Sequence, residues 1–479
     1  QNLLVRSQAL YPVELQAQIT KVKIIILYLF FFVYKFNKSM LNNINTSSNT
    51  FFANLLFAFI PVSFVLGNLA INLNILTIVF FCIFLLIKEK DNNKIELILF
   101  DKFIIIFFLY IFLVSTFNYF KISDDAHKYQ LILKTFSYIR YLFFYFSLRF
   151  LMDNKYLNLR YFFAICSFGV LFVSLDVIIQ YSFGQSLFGY ESVSRRMSGP
   201  FGDELIAGSY IARFSLFLIF SFFIFEFFKN MAFKNKFFIF SIVSLVLSLG
   251  MTLAGNRVPF LIFLSTILIS LIVLRNYRIY FFSFLIITIS CISIFNNYDE
   301  EIRKHYVGFK DQIISILKPL SEENKVQLEN KRELTNDEKS YSFFYKDERY
   351  ITKSVHAKEF YTGYKTWLQN KFFGGGLKSF RFNCPKVFIN CNAHPHNYYL
   401  EILSDLGLVG FLIIISFFFL VFRESYYSKK IIVLPFLLIL FGELFPLKTT
   451  GSFFGTANST FIFLQISLII SVLNRKDLN

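Results

Sequence analysis

The chain has 479 residues, of which 56% are hydrophobic and only 16% are charged. Phenylalanine alone contributes 70 residues, and the mean hydropathy is +0.55. Because soluble domains usually contain about 25% charged residues, this composition excludes a soluble globular protein and indicates a polytopic membrane protein. A net charge of +17 would suggest a nucleic-acid partner for a soluble protein. In a membrane protein it indicates basic cytoplasmic loops, so we expect no nucleic-acid partner.

Residues 1–50 are predicted to form a cytoplasmic or interfacial extension. Its apolar run, KVKIIILYLFFFVYKF at 21–36, is shorter than the roughly 20 residues that a span requires. The run resembles the apolar region of a signal peptide, but no small-residue cleavage site follows it. An interfacial segment and a non-native extension before Met40 are both open, and we predict no functional residue here.

Twelve apolar stretches are predicted to be transmembrane helices, because the backbone must form its own hydrogen bonds in lipid. They lie at 51–71, 73–87, 98–118, 131–150, 159–181, 205–228, 236–254, 258–274, 279–295, 400–422, 431–447 and 457–474. Nine of them fall within 51–295 and three within 398–479, on either side of a long hydrophilic stretch at 296–397. The predicted fold class is all-α, a helical bundle of about 12 transmembrane helices with one large loop domain.

Basic residues are distributed unequally between the two sets of predicted loops. If the chain before residue 51 is cytoplasmic, the inner loops contain sixteen Lys and Arg residues and the short outer loops contain six. By the positive-inside rule, both termini are then cytoplasmic, and the loop domain at 296–397 is periplasmic in a bacterial inner membrane. Within it, 356–372 is predicted to be an amphipathic helix that Gly374 ends. This helix either packs on the bundle or borders a groove for a lipid substrate.

Two of the five cysteines, Cys384 and Cys391, lie together in the predicted periplasmic loop. An oxidising compartment favours a disulfide between them, and two free thiols are the alternative. The other three, Cys82, Cys166 and Cys291, fall in or near predicted spans and are expected to pack as small apolar residues.

Several arginines are predicted to face the outer side. Arg195 and Arg196 lie in one outer loop, Arg257 lies in a short connection, and Arg213 lies about two turns below the first of these loops. The guanidinium fork matches phosphate oxygens, so these residues could bind a diphosphate or, alternatively, lipid headgroups. Charged residues inside predicted spans suggest a polar cavity that opens outward. These are Lys134, Arg140, Asp176, Arg213 and Glu443.

The segment AHPHNYYLEILSDLGLVGFL at 393–412 contains the strongest functional signal. Pro395 is suited to a helix start, which predicts that His396 and Asn397 occupy the first helical turn. The positive end of a helix dipole disfavours an imidazolium, and a neutral imidazole is what a general base requires. Metal binding is the alternative, but no Cys or further His has a suitable spacing, so no metal site is predicted.

The same segment contains the motif His396-Asn397, then nine residues, then Gly407-x-x-Gly410. This motif resembles that of the O-antigen ligase and O-antigen polymerase superfamily. Three other segments resemble the same family in order and position. They are RRMSGPFGDELIAGSY, the short connection with Arg257, and YKTWLQNKFFGGGLKSF. The resemblance covers most of the chain from about residue 51, and it does not separate ligase from polymerase.

The resemblance implies a metal-independent glycosyltransferase without a cofactor. Its donor would be an undecaprenyl diphosphate-linked glycan, and its acceptor a hydroxyl of a lipid A core sugar or another glycan. His396 would be the base, and Arg257 would hold the diphosphate with help from Arg195 or Arg196 and from Arg213. His394 and Asn397 would shape the site or bind the glycan.

Two other functions fit some features of the sequence. A polysaccharide polymerase would use the same donor chemistry with a second lipid-linked glycan as acceptor. A polytopic transporter would explain twelve spans and buried charge, but it predicts paired broken helices in two related halves, and the sequence has no such repeat. The sugar, the linkage, the chain-length preference and the oligomeric state are not predicted.

Overall fold

The computed structural model describes residues 48–88, 96–192, 196–304, 306–308, 355–388, 391–446, 448–449 and 451–475. Fourteen principal helices occur in these ranges. They are α1 (Ser48–Leu66), α2 (Asn68–Lys88), α3 (Leu99–Tyr119), α4 (Asp125–Tyr138), α5 (Arg140–Asp153), α6 (Leu159–Phe183), α7 (Ala207–Ile224), α8 (Phe233–Ala254), α9 (Arg257–Val273), α10 (Arg278–Tyr298), α11 (Val355–Trp367), α12 (Tyr398–Ser428), α13 (Leu434–Glu443) and α14 (Thr456–Asn474). Short helical turns lie at Gly199–Phe201, Glu226–Lys229, Arg275–Tyr277, Phe380–Asn383, Cys384–Lys386 and Ile431–Val433.

Within the described residues, nine helices are long and apolar enough to cross a membrane: α1, α2, α3, α6, α7, α8, α10, α12 and α14. Two apolar helices, α9 and α13, are shorter. All eleven coincide with predicted spans, and the described ranges contain no strand beyond isolated bridges such as Gln185 with Glu191. The all-α prediction is therefore confirmed, whereas the count of twelve spans stays a prediction.

The predicted span at 131–150 differs most from the structure, which divides it into α4 and α5 at Ile139. The guanidinium of Arg140 donates to the carbonyl of Ser137 at 2.9 Å. In an uninterrupted helix that carbonyl accepts from the N–H of Tyr141, four residues later. The prediction of a single continuous helix is wrong at Ile139, because hydropathy averaged over a span does not detect an interruption of one residue.

The described helices divide between two compact units. The first unit consists of the described residues within Gln1–Asp91 and Phe150–Arg303, and the second of those within Asn92–Arg149 and Lys304–Asn479. The first unit thus carries α1, α2 and α6 to α10, and the second carries α3, α4 and α11 to α14. Helix α5 contributes to both.

The core of the first unit is largely aromatic. Phe162 of α6 stacks on Phe57 of α1 at 4.7 Å between ring centroids and meets Phe217 of α7 edge-on at 5.1 Å. Gly250 of α8 lies where a Cβ atom would collide with Ser174 of α6. Large rings fill the space between helices, and a glycine allows two helices to approach closely.

The core of the second unit joins α3, α4, α5 and α14. Tyr141 stacks on Phe463 at 5.7 Å, and Phe108 stacks on Tyr138 at 5.6 Å. The Tyr138 hydroxyl lies 3.2 Å from the hydroxyl of Ser459, so its polar end has a partner.

A buried ion pair, which the sequence did not indicate, lies at the opposite end of α3 from the loop domain. Asp101 accepts from Arg149 at 2.8 Å, from the Tyr145 hydroxyl at 2.6 Å and from the backbone N–H of Ile98 at 3.0 Å. The side chains of Asp101 and Arg149 are 0% and 1% exposed. Charges this deeply buried require partners, and the three donors to Asp101 provide them.

Helix α12 is interrupted at Gly407, whose φ is 67° and ψ is −172°. The break removes the helical partners of the next two backbone N–H groups. Instead, Leu408 donates to the carbonyl of Lys371 at 2.9 Å, and Val409 donates to that of Phe372 at 3.1 Å. A Cβ atom at position 407 would collide with the Phe372 carbonyl group. Glycine is therefore required both by the left-handed conformation and by the close approach.

The same segment also bonds the helix before the break. We call residues 371–377 the glycine segment. The N–H of Gly375 donates to the carbonyl of Ser404 at 3.0 Å, and the N–H of Gly376 donates to that of Asp405 at 2.8 Å. In the sequence, FFGGGL and the second half of the His motif were related only by their order along the chain. These hydrogen bonds make them one structural element.

Gly410, the second motif glycine, leaves space for an aromatic ring of a neighbouring helix. A Cβ atom at Gly410 would collide with the ring of Tyr110 on α3, and the Tyr110 hydroxyl donates to the carbonyl of Leu406 at 2.7 Å. The spacing Gly407-x-x-Gly410 thus places both glycines where backbone or ring atoms of other elements approach α12.

Candidate functional site

The His motif lies at the first turn of α12, in the second unit. The helix begins at Tyr398, and Asn397 is its N-cap, with a side-chain oxygen that accepts from the second and third helical N–H groups at 3.1 and 3.2 Å. The Asn397 amide nitrogen donates to the carbonyl of Pro446 at 2.7 Å. The prediction that Pro395 starts the helix and that His396 lies in its first turn is wrong, because Asn397 caps the helix and its first residue is Tyr398, three residues after Pro395.

His396 therefore lies just before the positive end of α12, in a left-handed conformation with φ of 50°. Its Nε2 atom lies 3.4 Å from Oε1 of Glu359 on α11. The same carboxylate oxygen accepts from the amide of Asn392 at 2.6 Å. The side chain of Glu359 is 10% exposed and that of His396 is 32% exposed. An imidazole beside a carboxylate, with some of its surface open, is suited to accept a proton and to stabilise the resulting charge.

His394 lies against His396. Their ring centroids are 4.2 Å apart, with the planes at 84°. The Nδ1 atom of His394 is buried and has no hydrogen-bond partner among the described residues. A buried polar atom without a partner is costly, which makes this nitrogen a candidate contact for a substrate.

A disulfide stiffens the chain just before the two histidines. Cys384 and Cys391 are bonded, with an S–S distance of 2.04 Å and a Cα–Cα distance of 6.0 Å, as the sequence predicts. Phe380 and Phe388 pack around Cys384. Cys82, Cys166 and Cys291 are buried and are not disulfide-bonded, in agreement with their predicted packing role.

Glu401, one turn into α12, collects donors from two other segments. Its Oε1 atom accepts from the Ser452 hydroxyl at 2.5 Å and lies 3.4 Å from the Lys378 ammonium, while its Oε2 atom accepts from the N–H of Phe453 at 2.6 Å. Lys378 also donates to Ser452. The carboxylate thus ties Lys378, the residue directly after the glycine segment, and the connection between α13 and α14 to the start of α12.

Asp405 has a similar role on the next turn of the helix. Its Oδ2 atom accepts from the N–H of Lys378 at 2.8 Å, and its Oδ1 atom accepts from the N–H of Phe380 at 2.9 Å and the Ser379 hydroxyl at 3.1 Å. With Glu401 four residues earlier, Asp405 lies on the same helix face. Both carboxylates hold the loop that approaches the histidines.

Glu443, one of the predicted in-span charges, contacts the first residue of α12. It pairs with Lys448 at 2.8 Å and lies 3.4 Å from the Tyr398 hydroxyl. Its side chain is 3% exposed. This buried pair connects the end of α13 to the first residue of α12, so it positions the motif.

The predicted arginines belong to the first unit. Arg257 is the first residue of α9, directly after Asn256. The Asn256 side chain accepts from the N–H of Gly208 at 3.0 Å and donates to the carbonyl of Leu205 at 2.9 Å. The start of α9 is thereby fixed beside the start of α7, which carries Arg213 in its second turn. Arg257 and Arg213 are both half-buried.

Arg196 is also half-buried and is held near the same end of the unit. The N–H of its neighbour Met197 donates to the carbonyl of Leu253, four residues before Arg257, at 3.3 Å. Buried Gln180 secures the rest of this loop, because its amide donates to Ser198 at 3.3 Å and to the carbonyls of 190 and 191. The structure thus brings Arg196 and Arg257 to one end of the first unit, whereas Arg195 lies outside the described residues.

Sequence reasoning missed Glu359, Glu401, Asp405 and Gln180. Glu401 and Asp405 are within the quoted motif, where two acidic residues at helical spacing were a usable signal. Gln180 gave no signal, because a single amide near the end of an apolar stretch is common. Among the described residues, no three His, Cys, Asp or Glu side chains gather as ligands for a metal ion.

Glu359 gave no signal either, although it makes the most direct contact with the motif histidine. It lies on α11, whereas His396 lies just before α12. The contact therefore depends on how α11 packs beside the start of α12. No spacing rule links the two positions, because spacing rules apply only to residues on one element.

A comparison with known families gives one match that includes this site. Residues 242–415 match a family model described as O-antigen ligase. The matched segment runs from α8 through the first half of α12, so it contains Arg257, Glu359, His396 and both motif glycines. The match confirms the family resemblance that the His motif indicated. No curated protein matches the chain.

Proposed function

We propose that the chain is a metal-independent glycosyltransferase of the bacterial inner membrane, because residues 242–415 match a family model described as O-antigen ligase. It moves a glycan from undecaprenyl diphosphate to a hydroxyl of a lipid A core sugar on the periplasmic face. The observation that carries the proposal is the contact between His396 Nε2 and Glu359 Oε1 at 3.4 Å, which gives the motif histidine the carboxylate partner that a general base uses.

In the proposed reaction, the acceptor hydroxyl attacks the anomeric carbon of the donor sugar. The bond between that carbon and the diphosphate oxygen breaks, and undecaprenyl diphosphate leaves. His396 takes the proton of the attacking hydroxyl, and Glu359 stabilises the imidazolium that forms. A diphosphate is a good leaving group, so the main tasks of the protein are to position the acceptor and to neutralise developing charge.

Arginines of the first unit are proposed to hold the donor. Arg257 binds the diphosphate, and Arg196 or Arg195 assists together with Arg213. Guanidinium groups pair with phosphate oxygens in a bidentate geometry and can neutralise the charge that a divalent cation would otherwise neutralise. His394 contacts the glycan through its buried Nδ1 atom. The Asn397 side chain is engaged in capping α12. Asn397 therefore supports glycan binding through the position of its backbone and not through its side chain.

The direct test is transfer by the purified protein from a labelled undecaprenyl diphosphate glycan. One arm supplies lipid A core as acceptor, a second supplies only further lipid-linked glycan, and each is run with and without a chelator. We expect label on lipid A core and no effect of the chelator. Product only in the second arm would identify a polymerase, and no product in either arm would refute the proposed function.

A Glu359→Gln variant tests the carboxylate as a positioning residue. It keeps the side-chain shape but removes the negative charge beside His396, and a nearby negative charge favours the protonated ring. We expect lower kcat, and we expect the acid limb of the kcat/KM profile to move to lower pH. The measurement is transfer rate against pH under saturating and limiting donor.

Asn392→Ala is the matched control for this variant. It removes the hydrogen bond at 2.6 Å to the same carboxylate oxygen but leaves the charge in place. Its pH profile should therefore coincide with that of the unmodified protein. If Glu359→Gln and Asn392→Ala lower the rate equally and leave the acid limb unmoved, Glu359 has only a structural role.

A further inference from the structure

The length of α12 places the glycine segment relative to the membrane. The helix has 31 residues, about 46 Å at 1.5 Å per residue, which exceeds a hydrocarbon thickness of about 30 Å. At the end away from the loop domain, Arg423 and Glu424 mark the membrane boundary. Counting about 20 residues back from there reaches roughly residue 403. Gly407 then lies about 6 Å inside the hydrocarbon.

Helix α3 gives an independent estimate of the same depth. The N–H of Leu377 donates to the Ser115 hydroxyl at 3.3 Å, and the amide of Asn118 donates to the carbonyl of Gly374 at 3.3 Å. Ser115 lies about 20 Å along the helix from Lys102, the charged residue at the other end. Because this distance is less than about 30 Å, α3 also places the glycine segment inside the hydrocarbon.

Backbone outside a helix is tolerated at such depth only when its polar groups are bonded within the protein. The five consecutive N–H groups of residues 374–378 all donate. Their acceptors are Asn370 O, Ser404 O, Asp405 O, Ser115 Oγ and Asp405 Oδ2. The two N–H groups that the break in α12 releases donate to the same segment. The N–H groups of residues 374–378 therefore meet the requirement for backbone within lipid.

Two large aromatic side chains project from this segment. Phe372 is 63% exposed and Phe373 is 58% exposed, whereas the following residues 374–377 are buried. The helices that hold the segment expose apolar side chains nearby, such as Leu412 of α12 and Leu113 of α3. The two exposed rings therefore project from a segment that is bonded to two helices long and apolar enough to cross a membrane.

We propose that residues 371–377 form a re-entrant segment, and that Phe372 and Phe373 contact the acyl chains of the leaflet on the loop-bearing side. Tyr398 is nine residues from Gly407, about 14 Å along α12. His396 is therefore held at the level of the lipid headgroups, where the diphosphate of a lipid-linked donor lies. This last consequence rests on the proposed function, whereas the lipid contact does not.

The single tryptophan of the chain, Trp367, makes a fluorescence test possible. In a Trp367→Phe background, Phe373→Trp places the only indole at the tip of the segment. In nanodiscs with lipids brominated on their acyl chains, we expect several-fold stronger quenching than by aqueous iodide. The control is Phe380→Trp in the same background, because Phe380 is 2% exposed and neither quencher should reach it.

Quenching by iodide but not by brominated lipid would place the tip in water and overturn the proposal. Protection from both quenchers would mean that protein, including a second copy of the chain, covers the tip, and this would also overturn it. Phe372→Trp provides a second reading if Phe373→Trp does not fold. Because no glycan transfer is measured, failure of the proposed function would leave the result unchanged.

Discussion

The His396→Ala variant is expected to retain donor binding and to lose about 10²- to 10⁴-fold in transfer rate, the usual contribution of a general base. The imidazole is 32% exposed and lies 3.4 Å from the Glu359 carboxylate. Its removal leaves no proton acceptor for the attacking hydroxyl, but it removes no group that is proposed to hold the diphosphate. The loss should therefore appear in kcat rather than in the KM for the donor.

Two variants serve as comparisons. Arg257→Ala should raise the KM for the donor as well as lower kcat, because it removes a charge that is proposed to bind the diphosphate before and during bond breaking. His394→Ala should weaken binding of the glycan, and it should lower the transfer rate less than His396→Ala does. Full activity in His396→Ala together with its loss in His394→Ala would show that the base was assigned to the wrong histidine.

Gly407→Ala is expected to destabilise the protein by about 3 kcal/mol or more. A left-handed conformation costs about 1–2 kcal/mol for a residue other than glycine. In addition, the new Cβ atom would collide with the Phe372 carbonyl group. Moving that group away breaks the hydrogen bond from the N–H of Val409, and each buried group left unpaired costs about 1–3 kcal/mol. Thermal unfolding of the purified protein in nanodiscs measures the change.

Gly189→Ala separates conformational strain from the collision. Gly189 also has a positive φ, of 79°, but a Cβ atom there would meet nothing within 4 Å. Gly189→Ala should therefore lower the free energy of unfolding only by the cost of the left-handed conformation, about 1–2 kcal/mol. If Gly407→Ala proves no more destabilising than Gly189→Ala, the contact between the glycine segment and the break in α12 contributes little to stability.

Hydropathy alone was sufficient to predict where the apolar helices lie, because lipid leaves a spanning chain few alternatives to a helix. All nine long apolar helices of the described ranges coincide with predicted spans. The His motif and its family were also evident from local spacing, and the disulfide followed from two cysteines in one predicted compartment. These features depend on composition or on residues near one another in the chain.

Helix ends and interruptions were harder to predict from the sequence. The predicted span at 131–150 is divided at Ile139, where Arg140 bonds the Ser137 carbonyl, and α12 begins only after the Asn397 cap. In both cases one polar side chain competes for backbone hydrogen bonds. Hydropathy averaged over many residues does not detect such a competition.

The partners of the site were decided only by tertiary structure. Glu359 reaches His396 from a different helix, and Glu401 accepts from Lys378, directly after the glycine segment, and from the connection between α13 and α14. The sequence determined that a histidine would stand at a helix start near a glycine-rich stretch. It could not determine that this stretch forms hydrogen bonds with the α12 backbone on both sides of the break at Gly407. Hydrogen bonds between distant segments depend on packing geometry, which no local pattern encodes.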